Sequence, residues 1–191
     1  MIDIMLDLET LGTSPGCSVL SIGAARFSID DETPEDVRMA GVFEIGPICR
    51  RSCAAIGLKE NPLTVEWWGT QSAEARERAF GGVNEKLEHV VSALQCFRYW
   101  LAALDDFRIW GNGADFDIAV LGAAYDAAAV PKPWNYKNVR CYRTMKAEFP
   151  TVTVEPFKGV AHSAVDDAVN QALHLSRVWR HMRSAGVKND V

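Results

Sequence analysis

Two hydrophobic periods run along this chain, and the switch between them divides it. Ile2 to Leu8, Val19 to Ile29 and Met39 to Ile45 are short runs of mostly apolar, often β-branched or small residues, and they predict three strands. Gly12, Pro15 and Gly16 separate the first two, and the polar stretch 30–36 with Pro34 separates the second pair, which suits an antiparallel meander. Residues 47–82, with Pro47, Pro62, a Trp67-Trp68 pair and Gly81-Gly82, predict short helices joined by loops. From Val83 the period becomes helical: Leu87, Val90, Val91, Leu94, Phe97, Leu101 and Leu104 predict one amphipathic helix of about six turns. Phe107–Trp110 predicts a strand, and Asp115 opens a second helix that runs through Ala129 and ends at Pro131 and Pro133. Ser163-x-x-Asp166 reads as a capping box for a final helix with Val165, Val169, Ala172, Ser176 and Trp179 on one face. Strands first, then helices alternating with a strand, describe an α/β fold: a mixed sheet, antiparallel meander plus parallel strands, flanked by helices. With no repeat and no linker, residues 1–185 are expected to form one domain and 186–191 a short tail.

Composition narrows the function classes. At 191 residues, 48% hydrophobic and 24% charged, the chain has material for one sizeable core. No run approaches 18 apolar residues, and the chain enters its first strand without a basic segment or a cleavage site, so no membrane partner and a cytoplasmic location are expected. The five cysteines are odd in number and scattered, as reduced thiols are, and Cys49-x₃-Cys53 lacks the second Cys/His pair of a zinc site. A net charge of −5 argues against coating duplex nucleic acid by bulk electrostatics. It leaves room for a nuclease, because four site carboxylates would be neutralised by two divalent ions. Basic clusters stand at Arg50-Arg51, at Arg76 with Arg78, and at Lys137, Arg140, Arg143 and Lys146. The last is the candidate for phosphate contact.

The chemistry begins at Asp7-Leu8-Glu9. Alternation along a strand sends both carboxylates to one side, and no Lys or Arg occurs in the first 25 residues to neutralise them. An all-oxygen site of this kind calls for a hard divalent cation such as Mg²⁺ or Mn²⁺. Asp117, in the first turn of a predicted helix, and Asp167, near the start of the last, add two carboxylates on regular elements. His162 lies in the loop before that last helix. Two-metal phosphodiester hydrolysis uses such a division, with carboxylates held rigidly and a base free to reach the attacking water.

Three motifs in order, Asp7-Leu8-Glu9, Asn112-Gly113-Ala114-Asp115-Phe116-Asp117 and His162-Ser163-Ala164-Val165-Asp166-Asp167, resemble those of the DnaQ-like DEDDh 3′-5′ exonucleases, a ribonuclease H-like family. The stretches Trp110–Ala114 and Thr64–Trp68 look most like the phage DexA-type enzymes and related exoribonucleases. The resemblance implies that Asp7, Glu9, Asp117 and Asp167 hold two Mg²⁺ or Mn²⁺ ions and that His162 deprotonates water, a task suited to an imidazole whose ordinary pKa is near 6.5. It also implies that Leu11 wedges beside the terminal base and that Gly12 lets the backbone approach the sugar. Leu8, Thr10, Trp67, Asn112 and Phe116 complete the expected substrate surface. Trp67 and Trp68 are either stacking platforms or core anchors, and since successive helical residues diverge by about 100° only one should face the groove.

The remaining candidates read more plainly. Asp115 is a first-turn helix charge. Asp166 serves the capping box, so its loss should cost about 1 kcal/mol and spare catalysis. His89, His174 and His181 are surface or satisfied histidines. The expected activity is stepwise hydrolysis of single-stranded nucleic acid from its 3′ end to nucleoside 5′-monophosphates, with DNA favoured by the phage-like motifs and RNA the alternative. A catalytically silent binding module of the same fold is the competing class, and a homodimer using Trp179 or Trp134 is an expectation by analogy.

Overall fold

A computed structural model describes residues 1–82, 85–104 and 106–186. Among these residues five strands form one sheet: β1 (Ile2–Thr10), β2 (Val19–Phe27), β3 (Val42–Ile45), β4 (Phe107–Gly111) and β5 (Val139–Cys141). Their order is β3-β2-β1-β4-β5, with β1 antiparallel to β2, β2 antiparallel to β3, and the β1–β4 and β4–β5 pairs parallel. The predicted meander and the mixed sheet are both present.

β1 is central and buried on both faces, so its two side-chain rows enter different cores. Ile4, Leu6 and Leu8 pack with Ile22, Ala24 and Ile109 beneath helices α5 (Val90–Ala102) and α6 (Ala119–Ala127). Met5 joins Ala25, Phe27 and Trp110 beneath α8 (Ala164–Ser184), whose predicted apolar face is buried from Val165 to Trp179. Asp7 and Glu9 belong to this second row, which brings them under the N-terminal end of α8.

Two element boundaries differ from the sequence reading. The chain from Pro34 to Ala40 is helix α1, started by a capping box between Thr33 and Asp36 and ended at Gly41, so β3 begins only at Val42. Met39, counted there as a strand residue, is 86% exposed. The long helix starts at Val90 rather than Val83, which lies outside the described residues. Upstream of it Glu88 bridges Ile48, with the Glu88 N–H donating to the Pro47 carbonyl and the Cys49 N–H to Glu88, so that backbone is committed to pairing and Leu87 is left exposed. Residues 47–82 fold as expected into short helices: α2 (Arg50–Ala55), α3 (Pro62–Gly69) and α4 (Ala73–Phe80). The last short helix, α7 (Tyr142–Glu148), follows β5.

Candidate active site

Four carboxylates from three elements converge at the C-terminal end of β1. Glycine makes this possible. Gly23 lies opposite Asp7 in the β1–β2 register, and a Cβ there would come within 2.1 Å of the Ala164 carbonyl carbon and 2.2 Å of the Val165 nitrogen. The first turn of α8 therefore rests on bare backbone beside Asp7, which puts Asp167 over the sheet. A register shift between Glu9 and Thr10 marks a bulge where the strand leaves the sheet. Asp117 arrives in a π-helical turn, Ala114–Ile118, that joins β4 to α6.

Carboxylate oxygens of Asp7, Glu9 and Asp167 lie within 4.8 Å of one another. Asp117 stands outside that group of three but close enough to repel both Asp7 and Glu9. Burial, then the charges of Asp117, Glu9 and Asp167, raise the Asp7 pKa well above the carboxylate range. Burial and the charges of Asp167 and Asp117 push Glu9 up to about 8. Burial likewise raises Asp117 to about 7 and Asp167 to about 6. At Asp7 a side chain offsets this in part: Gln171 donates its amide to Oδ1 at 2.8 Å. Asp117 Oδ2 and Gln171 Oε1 are buried without a partner. Repelling carboxylates with an orphaned oxygen are the donor set a hard divalent cation satisfies, so these residues fit such a metal.

His162 has φ +63°, a left-handed conformation uncommon for a side-chain-bearing residue. Its N–H donates to Asp167 Oδ2 at 3.0 Å, and its ring lies edge-on to Trp67 and Trp68, with centroids 5.0 and 6.0 Å away. The loop before it is fastened to α8: Val160 N–H donates to Asp166 Oδ2, and Lys158 and Asn170 exchange two hydrogen bonds. Beside the carboxylates opens a cleft of about 510 Å³ lined by Leu8, Glu9, Thr10, Gly12, Trp67 and Phe116, among others.

Over residues 2–179 the sequence matches the family described as the 3′-5′ exoribonuclease Rv2179c-like domain. The chain belongs to that family. It is a 3′-5′ exonuclease acting on nucleic acid, and the DEDDh resemblance drawn from its motifs holds, with a carboxylate group able to hold a metal ion. No curated protein matches the sequence. Among solved structures, the fold is similar to that of the nuclease domain of 3′hExo, a DEDDh family member bound to rAMP, at 12% identity and a TM-score of 0.56 over 97% of this chain and 93% of that one. It is also similar to cell-death related nuclease 4 (CRN-4), at 16% identity and a TM-score of 0.53 over 97% of this chain and 64% of that one. Among the described residues, no helix of this family member is long and apolar enough to cross a membrane.

The cleft gathers some of the expected substrate residues and not others. Trp67 and Trp68 both border the cleft, but Trp68 is 2% exposed and donates its indole N–H to the Thr10 carbonyl, whereas Trp67, 43% exposed, presents the accessible ring. Leu11 is fully buried against Leu20, Trp68, Ala75 and Ala79 and is no wedge; its apolar side chain serves a small core under the site. Gly12 lines the cleft, but a Cβ there would meet the Cys17 Cβ at 2.6 Å, so internal packing alone demands glycine. Asn112 lies outside the cleft and offers its carbonyl to Arg143.

The Ser163–Asp166 capping box is absent. Ser163 Oγ is buried without a partner, and Asp166 instead pairs with Arg38 and holds the Val160 N–H. Trp179, offered above as a dimer contact, is buried against Phe27 and Trp110. His174 is satisfied, between the Tyr142 hydroxyl and the Val152 carbonyl. Sequence reasoning missed Gly23 and Gln171. The second carried a signal, since it lies one helical turn beyond Asp167 on the same face.

Proposed function

We propose that this enzyme removes nucleotides one at a time from the 3′ end of single-stranded RNA, releasing nucleoside 5′-monophosphates. Asp7, Glu9, Asp117 and Asp167 would hold two Mg²⁺ or Mn²⁺ ions, which when bound neutralise the carboxylates and stabilise charge on the attacking and leaving oxygens. The observation that carries this reading is the buried convergence of four carboxylates, one oxygen of Asp117 unpartnered, beside an open cleft. In that cleft the terminal base stacks on exposed Trp67, and Leu8, Thr10 and Phe116 line the space for its nucleoside.

His162 takes the proton of the attacking water at an imidazole nitrogen and passes it to solvent. Its backbone bond to Asp167 Oδ2 ties that base to the carboxylate cluster, and the edges of Trp67 and Trp68 limit where the ring can turn. RNA is preferred to DNA here on the family's own description and on the ribonucleotide held by the similar 3′hExo domain. The phage-like motifs alone had favoured DNA. The five free thiols suit a reducing cytoplasm.

A time course with 5′-labelled RNA and DNA of matched sequence, in Mg²⁺ or Mn²⁺, tests the proposal. Wild type should give a ladder shortening from the 3′ end, faster on RNA, and Asp7→Ala and His162→Ala should give none. An undiminished ladder from His162→Ala would remove the histidine base.

A further inference from the structure

The four cations Lys137, Arg140, Arg143 and Lys146 form one cluster in the sequence but separate in the fold. Arg140 turns back to donate to the Lys137 and Val139 carbonyls, and Lys137 lies over the Tyr136 ring. Lys146 is near enough to His174 to disfavour its protonation. Arg143, in the first turn of α7, goes to the active site. Its guanidinium donates to the Asn112 carbonyl at 2.7 Å and covers Gly113, so that a Cβ on Gly113 would lie 3.0 Å from its terminal nitrogen. Its charge is also felt by Asp117.

That single hydrogen bond engages one of five guanidinium N–H donors, and among the described residues Arg143 makes no ion pair with a carboxylate. The side chain is exposed. An arginine held by its loop, with donors free beside a site for phosphodiesters, has the geometry for a charge-assisted bond to phosphate. Its position selects which phosphate. The cleft is lined by Leu8, Glu9, Thr10 and Phe116 but by none of Asn112, Gly113 and Arg143, so Arg143 stands outside the space assigned to the terminal nucleoside while its charge still reaches Asp117. On the proposed reading, the strand 5′ of the scissile bond lies outside that nucleoside space, where Arg143 stands.

Building on the exonuclease site proposed above, we infer that Arg143 is a positioning residue that grips the phosphate immediately 5′ of the scissile one. The enzyme thereby distinguishes a strand carrying that second phosphate from a fragment that lacks it.

A matched pair of dinucleotides isolates this contact. A dinucleoside monophosphate, NpN, carries only the scissile phosphate, whereas 5′-phosphorylated pNpN adds the next one. Wild type should prefer pNpN in kcat/KM by about tenfold, mainly through KM, the size of one charge-assisted bond in a solvated setting. Arg143→Gln should lower that preference to near unity by losing more kcat/KM on pNpN than on NpN, and Arg143→Lys should restore part of it. On longer RNA, Arg143→Gln should reduce the slope of log affinity against log salt by about 0.7, the contribution of one phosphate in a single strand. An unchanged preference in Arg143→Gln, or an equal loss on both substrates, would overturn the clamp, the second result assigning Arg143 to supporting the Asn112 loop. If wild type cleaves neither dinucleotide nor longer RNA, the active-site reading fails and the clamp with it.

Discussion

Asp3 and Asp7 lie four residues apart on β1, on the same face of the sheet, and both are buried. Asp3 receives two hydrogen bonds from Arg108 and one from the Trp110 indole, each 2.7 Å long. Asp7 receives one, from Gln171, and faces three other carboxylates. Residue type, strand and face are shared, so the neighbours alone separate a matched carboxylate from one set in a repelling cluster. A carboxylate matched by a fixed cation closes its site, whereas one facing further carboxylates must recruit its cation from outside.

Exchanging charge for a neutral amide at each position should break this comparison in opposite directions. Asp7→Asn should reduce RNA hydrolysis by at least about 10²–10³-fold, the loss usual when a group that stabilises transition-state charge is removed, and should leave the metal-free protein no less stable. Asp3→Asn should cost about 2–3 kcal/mol, because Arg108 loses its charged partner, while the folded fraction keeps its kcat. Chemical denaturation beside single-turnover kinetics measures both. Equal loss of activity in the two variants would erase the distinction.

Gly23→Ala comes next. It should cost about 1–3 kcal/mol by forcing α8 from the sheet, and it should impair hydrolysis more than melting, because the displacement separates Asp167 from Asp7. Gln171→Met should be milder, with near-wild-type stability and about 10- to 100-fold weaker Mn²⁺ binding, as expected for a residue that orients a metal ligand.

The smallest effect is a slope. Folding raises the pKa of Asp7, Glu9, Asp117 and Asp167, so the folded state holds their protons to higher pH than the unfolded chain does. From about pH 4, where unfolded carboxylates ionise, to about pH 8, where Glu9 ionises in the folded chain, stability of the metal-free protein should fall as pH rises. Saturating Mn²⁺ should cancel the fall, and Asp7→Asn should flatten it. A metal-free melting temperature that rises over this range with the same slope in Asp7→Asn would contradict the repulsion.

What the sequence made legible was local. Asp7 and Glu9 were read from the two-residue period of a strand, and His162 and Asp167 from a motif that opens one helix; each needs only a few adjacent residues. Partners distant in sequence were not legible: Gly23 beneath Ala164, Arg38 on Asp166, and Gln171 reaching Asp7. Asp166 shows the consequence, for Ser163-x-x-Asp166 has the pattern of a capping box, yet the stronger pairing with Arg38 draws the carboxylate away. Leu11 failed for another reason, because an apolar residue beside a site fills a core as readily as it wedges a base. In 34–45, Thr33 and Asp36 were read as turn residues when together they cap a helix.

The central claim is that the Asp7 cluster holds divalent cations and the Asp3 pair does not. Calorimetric titration of Mn²⁺ into wild type, Asp7→Asn and Asp3→Asn, each first shown to be folded, tests it most directly. The account predicts two ions per chain in wild type and in Asp3→Asn, with fewer or much weaker ions in Asp7→Asn. Wild-type stoichiometry and affinity in Asp7→Asn, or no binding by wild type at millimolar Mn²⁺, would contradict it.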